Sequence, residues 1–226
     1  MKFEILKTSE KIYAYYLNND EFSLYFGTKH LNLEALEKNL GRKVIFPKQC
    51  HGTSVLNIDT ASTPTQPCDG LNIKIKEIAI GVYTADCIPL LIYDPINKQA
   101  AAIHAGWRGV ATNIATQAFK KMATDNSNLK IFLGPSISKD SFEVGWDVAR
   151  EITATIENGD SLSYPHKDPK KKYVDLRGVL VQQMLQAGCF EKNILALSID
   201  TMTSSDHFSF RREGKTGRLL SCIGLN

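Results

Sequence analysis

Runs of apolar residues without charge predict the strands of this chain. The runs 78–83 and 100–103 carry no charged residue, which is typical of strands covered on both faces. Turn-forming residues at 94–97 separate the second of these runs from its neighbour at 89–93. Strands are predicted at 3–6, 12–16, 44–55, 78–83, 89–93, 100–103, 129–133 and 194–199, with a turn at 68–70.

Four segments have helical features. Segment 32–40 has Asn32 as its N-cap and Gly41 as its stop, and another helix runs from the N-cap Asp175 to Gly188. A third lies near 145–157. The fourth begins at Gly109, where apolar residues recur every four positions; these are Val110, Ile114, Ala118 and Met122.

Strands that alternate with helices predict an α/β fold, and the close pair of strands within 78–93 makes the sheet mixed. We therefore expect a mixed α+β structure. The chain of 226 residues is long enough to bury a sizeable core. It shows no internal repeat or linker, so a single domain over residues 1–226 is expected.

A histidine, a tryptophan and an arginine crowd into one predicted strand-to-helix turn. The buried strand at 100–103 leads into His104, followed by the small residues Ala105 and Gly106, and Trp107 and Arg108 precede the helix. Backbone N–H groups and the helix dipole favour an anion at such a position. A glycine-rich turn with one structural histidine is the alternative interpretation.

Composition and charge exclude several classes of protein. The residues are 43% apolar and 23% charged, as in soluble globular proteins. A net charge of +3 does not favour nucleic-acid or membrane binding. No apolar run is long enough to span a membrane, and the charged N-terminus does not match a signal peptide. Five cysteines without paired spacing are typical of a reducing compartment, so we expect a cytoplasmic location.

Three potential metal ligands follow one pattern. His51, Cys87 and His104 each lie at or just past the end of an apolar strand, beside a small residue. Two imidazoles and a thiolate suit Zn²⁺, and Cu²⁺ is possible. Three protein ligands leave a fourth position open, as in catalytic zinc sites. A cysteine–histidine nucleophilic pair, or buried residues with no chemistry, are the alternatives at this point.

Asp86, next to Cys87, is a candidate partner for an imidazole or a candidate base, although aspartate before a turn is common. We assign Cys87, His104 and Asp86 as the catalytic candidates. The remaining cysteines follow no pattern and are interpreted as packing residues: Cys50, Cys68, Cys189 and Cys222.

Several motifs together resemble the bacterial YfiH/YlmD family, also called the laccase-domain or polyphenol oxidase family, which includes the mammalian protein FAMIN. The resemblance covers roughly residues 40–226. The blocks that carry it are Lys-Gln-Cys-His-Gly-Thr-Ser-Val (48–55), Thr-Ala-Asp-Cys-Ile-Pro-Leu-Leu (84–91), Ala-Ile-His-Ala-Gly-Trp-Arg-Gly (102–109), Leu-Gly-Pro-Ser-Ile-Ser (133–138), Phe-Glu-Val-Gly (142–145) and Phe-Ser-Phe-Arg-Arg with Thr-Gly-Arg (208–218).

The resemblance implies a layered sandwich of mixed β-sheet covered by helices, and a metal bound by His51, Cys87 and His104. It also implies phosphorolysis of the purine nucleosides adenosine, inosine and methylthioadenosine, with adenosine deaminase activity. A purine nucleoside and inorganic phosphate would then be the partners. An older description of the family is copper-dependent polyphenol oxidation, and editing of peptidoglycan precursors has also been proposed.

Phosphate is a dianion that needs fixed positive groups, which Arg108, Arg211 and Arg212 could supply. Asp69 and Gln49 complete the candidate substrate contacts. A multi-copper oxidase would require more than the five histidines of this chain. A structural-zinc binding module would require a fourth ligand, for which Cys50 and His207 are the candidates. The sequence leaves the oligomeric state open.

The chain departs from the family pattern at three positions. The helix at 32–40 reads Asn32-Leu33 where the family has Asn-Arg. Met202 replaces a family cysteine, and Phe210 replaces the tyrosine of the Phe-Ser-Tyr-Arg-Arg block. The predicted metal ligands are unaffected, whereas contacts with the substrate are expected to differ.

Overall fold

The computed structural model of the protein describes residues 1–62 and 64–226. The strands are β1 (Glu4–Lys7), β2 (Ile12–Asn18), β3 (Phe22–Gly27), β4 (Lys43–Ile45), β5 (Val55–Ile58), β6 (Gly70–Ile73), β7 (Ile78–Thr84), β8 (Ile88–Asp94), β9 (Gln99–Ala105), β10 (Lys130–Leu133), β11 (Glu143–Gly145), β12 (Ser163–Pro165), β13 (Lys171–Val174), β14 (Ile194–Ala196) and β15 (Leu219–Leu225). The helices are α1 (Leu33–Leu40), α2 (Trp107–Ala111), α3 (Ile114–Met122), α4 (Trp146–Thr153), α5 (Leu176–Gln186) and α6 (Phe210–Glu213).

Two six-stranded mixed sheets form the centre of the fold. The first has the order β1-β2-β3-β15-β7-β4, in which only β4 and β7 pair in parallel. The second has the order β14-β10-β8-β9-β6-β5, with parallel pairs at its two edges. The strands β11, β13 and β12 form a small third sheet. The predicted mixed α+β class is therefore confirmed.

Alternating side chains of both large sheets fill the space between them. Phe22, Leu24 and Phe26 on β3 point into this core, whereas Tyr25 belongs to the cluster on the opposite face. On the second sheet, Leu91 and Tyr93 of β8 meet them. The period of two along each strand produces this separation of faces. The sheets thus form a sandwich with an apolar interior.

Helices cover the outer face of each sheet. The outward residues Ile88, Leu90 and Ile92 of β8 pack with helices α2 to α5, and α1 covers the outer face of the first sheet through Leu36 and Leu40. Every residue of β9 is buried because the strand lies between these layers. This is the covered strand that the uncharged sequence predicts.

The helix ends at α1 and α5 agree with the sequence analysis. The Asn32 side chain accepts a hydrogen bond from the backbone N–H of Ala35, and Gly41 has a left-handed backbone with φ 66°. The Asp175 side chain caps α5 by accepting from the N–H of Gly178. Within the described residues, no helix is both long and apolar enough to cross a membrane.

The continuous strand predicted at 44–55 is wrong. β4 ends at Ile45 and β5 begins at Val55, and the intervening loop turns around Asp69. The N–H groups of Cys50, His51 and Gly52 donate to the Asp69 carboxylate instead of to a neighbouring strand. The turn predicted at 68–70 likewise leads directly into a strand, β6.

The single helix predicted from Gly109 is also wrong. It consists of two helices, because Thr112 ends α2 and Asn113 adopts a left-handed backbone with φ 58°. The four residues spaced every four positions are nevertheless all buried against the second sheet. The spacing of these apolar residues therefore predicts which face is buried, but it does not predict the break between α2 and α3.

Candidate functional site

Three ligand atoms converge where the two large sheets meet. His51 lies in the loop after β4, Cys87 in the turn between β7 and β8, and His104 near the end of β9. The potential ligand atoms of these three side chains all lie within 4.8 Å of one another. Because His104 pairs with Pro89 in the β8–β9 register, the hairpin brings Cys87 beside it. The predicted trio is therefore assembled in space.

Asp69 fixes the orientation of His104. Its Oδ1 lies 2.7 Å from His104 Nδ1, and both side chains are almost fully buried. A proton on Nδ1 directed at this carboxylate leaves Nε2 as the ligand atom, which is the usual way in which a carboxylate orients a metal-binding histidine. The buried aspartate thus selects the tautomer that metal binding requires.

The same carboxylate holds the loop that carries His51. It accepts hydrogen bonds from the N–H groups of His51 at 2.9 Å and Gly52 at 2.7 Å, and from the Cys50 thiol at 3.1 Å. His51 itself has φ 61°, a conformation that is unfavourable for a residue with a Cβ. One carboxylate therefore positions both histidines.

Hydrogen bonds outweigh burial in setting the ionisation of the site. Burial opposes ionisation of Asp69, but bonds from His104, Cys50 and Gly52 lower its pKa to about 2. Burial opposes the charged form of His104, yet Asp69 and Cys87 raise its pKa to about 9. Burial opposes the Cys87 thiolate, but His104 and His51 lower its pKa to about 7. The site therefore favours the thiolate, the form that binds metals.

The donor set and the surrounding space fit a metal ion. One thiolate and two imidazoles match the ligands of catalytic zinc. A Cβ placed on Gly106 would lie 3.2 Å from His51 Cδ2, 3.3 Å from Cys87 Sγ and 3.6 Å from His104 Cε1. A residue without a side chain therefore lies directly against all three ligands, so that they have room to close around an ion.

The three ligands face a cavity of about 630 Å³. His51 is exposed and Cys87 partly exposed, so the site is open on this side. Aromatic and cationic side chains make up much of the remaining wall. The other lining residues are Pro47, Gln49, Tyr83, Thr84, Ala85, Asp86, Trp107, Arg108, Ile137, Phe142, Phe210, Arg211 and Arg218.

Three arginines line this cavity, and within the described part of the chain none of them forms an ion pair with a carboxylate. The guanidinium of Arg108 stacks on Trp107 at 4.4 Å from the ring centroid. Arg211 lies 5.6 Å from the Phe142 ring and donates to the carbonyl of Glu143. Arg218, absent from our predicted site, is the third; its position in the Thr-Gly-Arg block was the available signal.

Arg212 does not line the cavity. It lies with Arg211 on the short helix α6, and its guanidinium donates to the carbonyls of Thr201, Met202, Ser204 and His207. It also pairs with Glu213 at 2.6 Å. These bonds give Arg212 the role of tying the 201–213 segment together, in place of the predicted substrate contact.

Two more predicted substrate contacts are occupied by the protein itself. Asp69 is fully buried beneath the ligands and does not line the cavity. Gln49 does line it, but its side-chain amide pairs with the backbone of Tyr83, accepting from the N–H and donating to the carbonyl at 2.8 Å each. Gln49 thus fastens the His51 loop to β7.

The Asp86 carboxylate is also engaged on both oxygens. Oδ1 accepts from the hydroxyl of Thr201 at 2.6 Å, and Oδ2 accepts from the N–H of Arg211 at 2.7 Å. Its backbone carbonyl accepts from the N–H of Ile137. Asp86 therefore joins three segments of the cavity wall beside Cys87.

Neither predicted fourth ligand joins the three that converge. The Cys50 thiol donates to Asp69, and His207 is buried elsewhere, bonded to Ser204 and stacked on Tyr15. Among the described residues, the group that could hold a metal consists of His51, Cys87 and His104 alone.

The family described as multi-copper polyphenol oxidoreductase laccase matches residues 29–226. A purine nucleoside phosphorylase of Clostridium acetobutylicum is 29% identical, over 96% of this chain and 98% of that protein. The Escherichia coli purine nucleoside phosphorylase YfiH is 29% identical, over 83% of this chain and 76% of its own length.

The crystal structure of YlmD from Geobacillus stearothermophilus superposes with a TM-score of 0.85. It covers 98% of this chain and 99% of that one at 21% identity, which establishes a common fold. The motif blocks and the sandwich agree with these matches. The chain therefore belongs to the YfiH-type family of laccase-domain proteins, described as multi-copper polyphenol oxidoreductase laccases.

Proposed function

We propose that this protein is a zinc-dependent purine nucleoside phosphorylase that cleaves adenosine, inosine and methylthioadenosine. One observation carries the proposal: the metal-ligand trio opens into a cavity with three arginines that lack carboxylate partners among the described residues. The names of the relatives support the same reaction class. The cysteines, including Cys87, are free thiols, which supports our expectation that the protein acts in the reducing cytoplasm.

The proposed zinc is held by His51 and His104 through imidazole nitrogens and by Cys87 through its thiolate. When bound, such an ion supplies a Lewis acid at the cavity wall. Asp69 keeps a proton on His104 Nδ1, and Gln49 holds the loop of His51 in place. Asp86 keeps the turn of Cys87 joined to Thr201 and Arg211. These three residues act by positioning the ligands.

Phosphorolysis requires the enzyme mainly to position phosphate against the anomeric carbon and to stabilise the departing base. We assign phosphate to Arg108 and Arg211. Stacking on Trp107 restrains the Arg108 guanidinium, and Arg211 is held by the Glu143 carbonyl. A restrained guanidinium presents two parallel donors to a pair of phosphate oxygens at little entropic cost.

Adenosine deamination is a second proposed reaction. It is favoured by the same opening of the ligand trio into the cavity, because a metal ion held there would supply a Lewis acid for hydrolysis at the purine ring. Deamination and phosphorolysis are distinguished by their products. Deamination consumes water and gives inosine and ammonia, whereas phosphorolysis consumes phosphate and gives adenine and ribose 1-phosphate.

The decisive experiment measures release of adenine from adenosine with and without inorganic phosphate. Release is expected only with phosphate. Arg108→Ala is expected to raise the KM for phosphate roughly 10- to 100-fold, as for one lost charge-assisted hydrogen-bond pair. Arg108→Lys is expected to restore little, because a point charge does not reproduce the bidentate fork. Equal release without phosphate would mean hydrolysis and would overturn the proposal.

Arg150→Ala is the matched control for Arg108. Arg150 is also exposed and stacks on a tryptophan, Trp146, at 5.0 Å, but it does not line the cavity. Its KM for phosphate is expected to equal that of the unaltered protein.

Cys87→Ala is expected to abolish stoichiometric zinc, measured by elemental analysis, together with adenine release. Full metal content in this variant would disprove the ligand assignment. Stoichiometric copper together with oxidation of a phenol would instead support the alternative of a polyphenol oxidoreductase. Cleavage of peptidoglycan precursors would support the alternative of an editing hydrolase. A family named for several coppers is difficult to reconcile with one group of three ligands among the described residues.

A further inference from the structure

Four aromatic rings line the cavity, and three of them already have a face in contact with another group. Tyr83 stacks on Phe46 with ring centroids 4.1 Å apart. Trp107 lies beneath the Arg108 guanidinium, and Phe142 lies near that of Arg211. In the described part of the chain, Phe210 is the cavity-lining ring without an aromatic or cationic partner.

Phe210 is far more exposed than the other phenylalanine of the cavity. The residue is 58% exposed, whereas Phe142 in the same cavity is 7% exposed. An exposed phenyl ring leaves apolar area in contact with water, and burial of that area under a ligand is favourable. A single exposed aromatic residue is ordinary on a surface, but one that lines an arginine-rich cavity offers a free π-face to a ligand.

The backbone on the C-terminal side of Phe210 is held in place. The N–H of Arg211 donates to Asp86, and the N–H of Arg212 donates to the hydroxyl of Ser209. The Arg212 guanidinium binds carbonyls of the 201–207 segment. The backbone that carries the ring is therefore held at a fixed point of the cavity wall.

We propose that Phe210 is the stacking platform for the purine base of the substrate. The inference rests on the proposed phosphorylase function and adds a residue that determines recognition of the base. A purine is planar and has a π-face, so it stacks on an aromatic ring, whereas a phosphate dianion does not. The arginines Arg108 and Arg211 remain for the anion.

Stacking of this kind is made with the bound nucleoside and persists as its glycosidic bond breaks. It contributes equally to binding the ground state and the transition state, so its loss raises KM and leaves kcat nearly unchanged. A change in the KM for adenosine without a change in kcat therefore distinguishes the role of Phe210 from that of the phosphate-binding arginines and of the metal ligands.

The test is Phe210→Ala in the zinc-loaded protein. The KM for adenosine is expected to rise roughly 10- to 100-fold, the effect of losing one base–aromatic contact. The KM for phosphate, the kcat and the zinc content are expected to remain within twofold. Phe210→Tyr, which restores the residue of the family motif, is expected to retain the KM for adenosine, whereas Phe210→Leu is not.

Phe190→Ala is the matched control, because Phe190 is 51% exposed and does not line the cavity. A KM for adenosine within twofold of the unaltered value in Phe210→Ala, or full recovery in Phe210→Leu, would overturn the platform. If the unaltered protein releases no adenine in the presence of phosphate, the proposed phosphorylase function is wrong. The role of Phe210 is then tested separately, by measuring adenine binding with calorimetry. Weaker binding in Phe210→Ala supports the platform, and unchanged binding overturns it.

Discussion

Two residues of the site have backbone conformations that side chains rarely adopt. His51 has φ 61° and Asp86, next to the ligand Cys87, has φ 87°. Such strain persists only where surrounding bonds impose it, and it concentrates at functional sites. Here the carboxylate of Asp69 fixes His51, and Thr201 with Arg211 fixes Asp86.

Gly106 tests whether the site needs the space beside its ligands. In Gly106→Ala the new Cβ would lie 3.2 Å from His51 Cδ2 and 3.3 Å from Cys87 Sγ, too close for the ligands to keep their positions. Zinc affinity is expected to fall about 10-fold or more, the range found when groups around a metal are altered. Competition with a chelating dye measures it.

The backbone of Gly106 itself accepts alanine, since its φ is −74°. The variant should therefore fold, with a melting temperature close to that of the unaltered metal-free protein. Unchanged zinc affinity would contradict the proposed crowding.

His207 predicts a pH dependence of stability. Burial lowers its pKa to about 4, an effect opposed by Asp206 and assisted by Arg212 and Lys29. Its Nε2 has no hydrogen-bond partner among residues 1–62 and 64–226, so a charged ring would be poorly accommodated. The contribution to stability is complete above pH 6.5 and is lost as pH falls from 6.5 to 4, because the unfolded chain gains the proton first. The loss amounts to about 3 kcal/mol.

Urea unfolding of His207→Leu and of the unaltered protein at pH 7 and pH 4.5 measures the contribution of His207 to the loss of stability. The variant is expected to lose less stability on acidification than the unaltered protein, whatever its stability at pH 7. An identical change in both proteins would show that His207 is not the group responsible.

At the scale of elements, the β8–β9 hairpin and the break between α2 and α3 position residues of the cavity. The β8–β9 hairpin sets Cys87 next to His104 by its register. The break between α2 and α3 allows α2 to be a short helix of five residues that carries Trp107 and Arg108 to the cavity wall. The direction of α3 is then free to follow the second sheet.

Asn113 in this break is expected to require a residue that tolerates a left-handed backbone. Its φ is 58°, and its side chain makes no capping hydrogen bond. Asn113→Val is expected to reduce the free energy of unfolding by about 1–2 kcal/mol, the cost of this conformation for a residue with a Cβ. Asn113→Gly is expected to be nearly neutral.

Urea unfolding of the two variants provides the comparison. Equal stability of Asn113→Val and Asn113→Gly would mean that the backbone relaxes at this position, and the proposed constraint would be wrong.

At the scale of the whole molecule, the apolar cores consist of side chains other than the three candidate ligands. One core fills the sandwich, one lies beneath helices α2 to α5, and one lies beneath α1. None of the three metal ligands belongs to these clusters. A core of this size stabilises the chain without a metal.

Removal of zinc by a chelator is therefore expected to leave a folded protein. The far-ultraviolet circular dichroism should be retained, and melting should remain cooperative. Its midpoint is expected to fall only by the amount that metal binding to the native state contributes. Complete unfolding near room temperature would favour a structural role for the metal.

Local information sufficed for much of the secondary structure and for the ligands. Caps such as Asn32 and Asp175 act through their nearest neighbours, and the apolar runs of β7, β8 and β9 report burial directly. These features depend on short-range chemistry and periodicity, which a sequence displays. The three candidate ligands were predicted from the family motifs that surround them and from strand ends, although the strand expected to contain His51 is a loop.

The features that the sequence analysis did not predict depend on contacts between residues that are distant in the sequence. Asp69 interrupts the strand predicted at 44–55 by accepting hydrogen bonds from residues 17–19 positions away. Arg211 faces the cavity and Arg212 binds carbonyls, although they are adjacent and chemically identical. The residue types alone do not distinguish these roles, because a side chain's partner is set by which segments the sandwich brings beside it. The sequence by itself predicted the candidate ligands and the buried strands, and only the tertiary structure decided which charged groups support the site and which face the cavity.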